Sequence, residues 1–122
     1  MSDLTNRLDG AKAIAYERTR QVIQEGYDLD GDDRYVRNQL VDAAICYATK
    51  PEYRNNHLID VGLDRQRLKR VPVRWPWPPE AWNPSPADRR RELVKAGALI
   101  AAEIDRLDRL DQIEPTDAQA GQ

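Results

Sequence analysis

Phenylalanine is absent from these 122 residues, and cysteine, methionine and histidine each occur once. A lone Cys46 excludes an internal disulfide, and with His57 as its only histidine companion it cannot build a Cys/His zinc site. Neither a P-loop nor a GxGxxG stretch occurs, so the common loop signatures for cradling phosphates are missing. No apolar run approaches the ~20 residues that a membrane-spanning helix needs. The opening MSDLTNRLDG has neither the basic nor the apolar region of an export signal, so the expected compartment is a reducing cytoplasm. Hydrophobic residues make up 40% and charged residues 33%, with a mean hydropathy of −0.81. The length predicts one domain with a modest core.

What is present is unevenly placed. The formal net charge is −2, yet between Arg65 and Lys95 nine Lys/Arg face only three Asp/Glu, and the remainder is acidic. Charge segregated in this way focuses a positive potential on one surface and draws in anions, or simply solvates a basic loop. The overall negative charge and the lack of a clustered basic recognition helix argue against duplex nucleic acid as partner.

Apolar periodicity predicts an all-α fold, a small bundle of three main helices over about 5–25, 33–50 and 86–111, within a single domain of residues 1–114. Leu8, Ala11, Ala15, Tyr16, Val22 and Ile23 form the stripe of the first helix, which Gly26 stops. Asp32 or Asp33 caps the second, whose stripe is Val36, Leu40, Ala43, Ala44 and Tyr47, with Pro51 ending it. Residues 51–84 hold six of the eight prolines and lack sustained period, so they read as a long irregular connection with at most a short strand near Val71–Val73. Ser85 as cap, Pro86 at the first helical position and Asp88 three after the cap mark the start of the last helix. Its seam of Leu93, Gly97, Ile100, Ile104 and Leu107, flanked by alanines, is expected to pack on Leu40, Ala44 and Tyr47. Residues 115–122 read as a disordered tail. Leu99, Ile100, Leu107 and Leu110 offer more apolar surface than one short helix covers, which predicts a homodimer.

The alternating acids Asp28, Asp30 and Asp32 suggest calcium, but Asp33 stands where an EF-hand needs glycine and Gln39 where it needs glutamate. A capping turn fits better. Several short stretches, Glu17-Arg18-Thr19-Arg20-Gln21, Glu25-Gly26, Asp32-Asp33, Ala43-Ala44 with Tyr47-Ala48, Trp75-Pro76-Trp77 and RRRELVKAGALIAAEIDRLDR from Arg89, together resemble a family of small tailed-phage and prophage proteins. That resemblance implies a bacterial host cytoplasm and a setting of host takeover or counter-defence. More distantly, the chain resembles the all-helical MazG-type nucleotide pyrophosphohydrolases. That likeness implies carboxylates around Mg²⁺, for which Glu17, Asp33, Glu92 and Glu103 are the candidates. Asn38 stands where the expected acidic pair would begin, so binding ranks above catalysis and no cofactor is expected under the first reading.

All three tryptophans lie within RWPWPPEAWNPSPADRRRELVKAG, residues 74–97. Trp75, Trp77 and Trp82 could stack on a base while Arg90, Arg91 and Lys95 answer phosphates at a helix N-terminus, with Arg20 and Tyr47 completing the candidate ligand set. Successive arginines diverge by about 100° on a helix, so Arg89, Arg90 and Arg91 cannot serve one face, whereas Arg91 and Lys95 can. The competing reading makes the same strap a lid over a core too poor in large apolar residues to close itself. The functional expectation is a non-enzymatic binder of a small nucleotide or other anion, such as a sponge for a host immune signal. A divergent hydrolase and a protein that grips a host partner through its tryptophans are the alternatives.

Overall fold

A computed structural model describes residues 8–24, 37–62 and 67–120. Three helices, α1 (Gly10–Gln24), α2 (Gln39–Ala48) and α3 (Arg89–Ala120), carry most of it, and a two-stranded antiparallel sheet is inserted between α2 and α3. The fold is therefore mostly helical rather than purely α. Strands β1 (Asn56–Asp60) and β2 (Leu68–Pro72) pair from Asn56 with Pro72 to Asp60 with Leu68. They occupy the stretch expected to be irregular. Alternation there is blurred because most of the hairpin faces solvent: the adjacent Val71 and Pro72 are its buried residues, and Val71 joins the core with Ile59 packed against it.

The helix starts follow side-chain chemistry. Asp9 accepts the Lys12 N–H and opens α1. Asn38 precedes α2 with φ 76°, a left-handed conformation that asparagine tolerates better than most residues, and its amide donates to Asp42. The expected caps Asp32 and Asp33, the stop at Gly26 and the acidic turn lie outside the described residues. At α3 the cap is Asp88, three residues later than expected: its carboxylate accepts the Arg91 N–H and its carbonyl the Glu92 N–H. Ser85 serves elsewhere, accepting the Asp88 N–H in a turn and donating its own N–H to Glu92. The backbone of α3 continues through Pro115 to Ala120, where a disordered tail was expected.

Only α2 buries the face its apolar period predicts. Leu40, Ala43, Ala44 and Tyr47 join Cys46, Val71, Trp82, Ala96, Leu99 and Ala102 in the core. On α1 the buried positions are Ala13, Glu17 and Gln21, while Tyr16 and Ile23 are exposed. On α3 they are Glu92, Val94, Ala96, Ala98, Leu99, Ala102 and Arg106, and the expected seam residues Ile100 and Ile104 are 46% and 52% exposed. Both helices are turned away from their apolar stripes because each presents a paired glutamate to the interior, and small alanines beside it allow close approach. Gly97 contacts α1 rather than α2: a Cβ there would meet Ile14 Cδ1 at 2.5 Å.

Candidate functional site

The C-terminus of α2 has no basic residue of its own in its last turn, so its free carbonyls are answered from elsewhere in the chain. Arg54 donates to the Cys46 and Tyr47 carbonyls, and Arg89 to those of Tyr47, Ala48 and Thr49. Both guanidiniums also meet the fully buried Glu92, Arg54 at 2.9 Å and Arg89 at 3.2 Å, and the Ser85 N–H donates to the same carboxylate at 3.1 Å. One buried charge thus ties α2, the loop before β1 and the start of α3 together.

This knot fixes the path of the tryptophan strap. Lys69 of β2 donates to the carbonyls of Pro79 and Trp82, and the Trp75 indole to that of Pro78, so the proline-rich turn is pinned at both ends. Trp82 is 2% exposed, with its ring 4.8 Å from that of Tyr47 and the Arg54 guanidinium 5.1 Å from its centroid. Trp75 stands edge-on to Tyr47 at 5.7 Å and to Trp77 at 5.3 Å, with interplanar angles of 89°. Perpendicular contacts of this kind contribute about 0.5–1.5 kcal/mol each beyond area burial. They also leave open faces, because rings that do not stack flat enclose a corner.

That corner is a cavity of about 250 Å³. Tyr47, Trp75 and Trp77 wall it, Arg20, Gln21 and Glu17 come from α1, Lys95 and Leu99 from α3, and Glu80, Ala81 and Asn83 from the strap. The Lys95 ammonium donates to the Asn83 carbonyl at 3.1 Å and lies 5.3 Å from the Tyr47 ring centroid. Glu17, 1% exposed, receives two hydrogen bonds from Arg20 at 2.8 and 2.9 Å, one from Arg91 at 2.7 Å and one from Gln21 at 3.2 Å. Burial alone would raise its pKa, but the hydrogen bonds and charges of Arg20 and Arg91 overcome burial and hold it at about 2. The carboxylate is therefore ionised and neutralised in place, and Arg20 presents a cation to the cavity from a fixed position.

Five of the eight candidate ligand residues, Arg20, Tyr47, Trp75, Trp77 and Lys95, line this one space. The other three lie elsewhere. Trp82 is behind the wall, in the core. Arg91 holds Glu17, and Arg90 donates to the Leu8 carbonyl beside a separate depression lined by Leu8, Asp88 and Val94. Gln21, Glu80 and Asn83 were not anticipated: Gln21 comes from α1, and Glu80 and Asn83 from the strap. A wider depression of about 600 Å³ is lined by Asp42, Cys46, Tyr53, Arg54 and Arg74. There the Cys46 thiol is raised to about 11 by burial and by Asp42, and it is inert at neutral pH.

Three of the four carboxylates proposed for Mg²⁺ are already engaged by arginine. Glu17 and Glu92 each face two guanidiniums, Glu103 is paired with Arg106 on its own helix at 2.7 Å, and Asp33 lies outside the described residues. A carboxylate whose lone pairs are taken by arginine must lose that arginine before it can ligate a metal. Among the described residues no group of three His, Cys, Asp or Glu side chains converges. No helix among them is long and apolar enough to cross a membrane. The chain matches no protein-family model, no curated protein and no solved structure.

Proposed function

We propose that the protein is a non-enzymatic binder of a small anion carrying a planar ring, of the size of a mononucleotide. The observation that carries this reading is the convergence of Trp75, Trp77, Tyr47, Lys95 and Arg20 on one cavity from α1, α2, the strap and α3. In this reading the ring lies against Trp77 and Trp75, and the anionic group is held by Lys95 and Arg20. Pockets for drug-sized ligands run about 300–1,000 Å³, so a space of about 250 Å³ favours one ring system with one charged group over a dinucleotide. The resemblance to phage proteins gives such a binder its setting, the sequestration of a nucleotide signal in an infected host. Binding is favoured over hydrolysis because Glu17 and Glu92 are both committed to arginines.

Titration with nucleoside mono-, di- and triphosphates and cyclic nucleotides, followed by tryptophan fluorescence and calorimetry, tests this. Quenching by monophosphates is expected, with no product released. A charge-assisted contact contributes about 1.5–3 kcal/mol, so Lys95→Ala should weaken binding roughly tenfold or more. No heat and no fluorescence change across the panel would leave the strap as a lid alone.

A further inference from the structure

Most polar groups around the aromatic cavity already have partners in the chain. The Trp75 indole donates to the Pro78 carbonyl, Lys95 donates to that of Asn83, and the Tyr47 hydroxyl accepts the Asn83 N–H. Glu17 accepts from Arg20, Arg91 and Gln21. Gln21 differs. It lines the cavity and is 4% exposed, yet its Oε1 is buried and accepts no hydrogen bond from any described residue.

The direction of this amide is set by its neighbour. Glu17 is ionised and can only accept, so the Gln21 nitrogen must face it, at 3.2 Å, and the oxygen is left over. A buried carbonyl oxygen without a donor gives up the bond that water supplies in the unfolded chain, and native structures carry few such groups. The space from which a donor could come is the cavity that Gln21 lines. The oxygen is shielded from solvent as it stands, but the terminal torsion of glutamine is broad, and a turn of the amide brings it to a donor there.

The rest of the lining indicates which part of a ligand brings that donor. Arg20 and Lys95 take the anionic group, which has no N–H to give, and this leaves Gln21 to the edge of the ring held against Trp75 and Trp77. Glu80, on the strap, adds a second side chain that offers acceptors alone when ionised. An exocyclic amino group satisfies such an edge. A ring carbonyl in its place sets oxygen against oxygen.

We propose that Gln21 selects the ring: its Oε1 accepts an N–H of an exocyclic amino group, so the cavity takes amino-substituted heterocyclic monophosphates over their oxo counterparts. This rests on the reading of the cavity as a site for a ring and an anion.

Calorimetry with the full chain tests it, comparing adenosine with inosine monophosphate and cytidine with uridine monophosphate, pairs that exchange an amino group for an oxo group. The amino member of each pair should bind about tenfold or more tightly. Gln21→Met keeps the length of the side chain and removes the acceptor, so the preference should fall to about twofold or less. The ratio is taken within one variant, so any stability lost with the Gln21–Glu17 bond cancels. Equal binding within the pairs, or a preference that persists in Gln21→Met, overturns selection by Gln21 and leaves the cavity reading in place. Binding of none of the four overturns the cavity reading and the selection with it.

Discussion

Among the described residues two glutamates are fully buried, each between two arginines, and the pair differ in what surrounds them. Glu92 is tied into the end of α2: the Arg54 side chain is 4% exposed and that of Arg89 32%, and both guanidiniums also satisfy the last carbonyls of α2. Glu17 is equally buried, but its partners Arg20 and Arg91 are 20% and 37% exposed, and the carboxylate borders a cavity. The same chemical unit therefore acts as a structural knot in one place and as the floor of a site in the other. The cavity that borders Glu17 and not Glu92 is the difference. Guanidiniums taken up by the carbonyls of α2 have their donors committed, whereas one that borders a cavity can share its charge with a ligand.

The sharpest way to break this comparison is Glu92→Ala. It strips Arg54 of its carboxylate in a dry environment, and breaking a buried pair typically costs about 3–5 kcal/mol, enough to unfold much of a small domain. Urea denaturation measures this; a loss below about 1 kcal/mol would show that Glu92 is not a knot. Glu17 is expected to matter less to folding and to do so in a pH-dependent way. Its folded pKa of about 2 lies below the ordinary 4.5, so its contribution is fully present above pH 4.5 and is lost as pH falls towards 2. The shift corresponds to about 3 kcal/mol at most. Glu17→Gln should flatten the acid limb of the stability curve, and an unchanged acid limb would contradict the pairing with Arg20 and Arg91.

Gly97→Leu would separate the two sites. The new side chain would strike Ile14, push α1 from α3 and loosen Glu17 from Arg91, at about 1–3 kcal/mol, while leaving the Glu92 knot intact. A variant as stable as the parent would mean that α1 rides loosely on α3. The smallest effect is expected from Arg91→Ala. Its guanidinium is partly in water and Arg20 still holds Glu17, so the loss should be about 1 kcal/mol or less, with ligand affinity changed far less than by Lys95→Ala. A tenfold loss of affinity in Arg91→Ala would place Arg91 on the ligand instead of on Glu17.

The second helix, the start signals near residues 85–88 and the crowding of tryptophans were legible because each is local. Apolar residues at three- and four-residue steps mark α2 whatever lies around it, and Asp88 caps α3 with its own side chain. Convergence of Trp75, Trp77 and Lys95 was legible for the same reason, since these residues lie within 21 positions of one another. The rotation of α1 and α3 was not. A glutamate whose partner arrives from 74 positions away looks, in the chain, like any solvent-facing acid. The exposed stripe Leu93, Ile100, Ile104 and Leu107 looks like a core, because period alone cannot tell a face that meets the rest of the fold from one that does not.

The sequence by itself determined that the chain is mostly helical, that a helix lies within residues 33–50 although not that it starts only at Gln39, and that one strap carries the aromatic surface. Only the tertiary structure decided which faces turn inward, that a hairpin interrupts the helices, and which cations border the cavity. Apolar period and capping act within a turn or two of chain. Coulombic pairing in a dry interior depends on distances between residues that the sequence keeps far apart, as Glu17 with Arg91 and Glu92 with Arg54 are here.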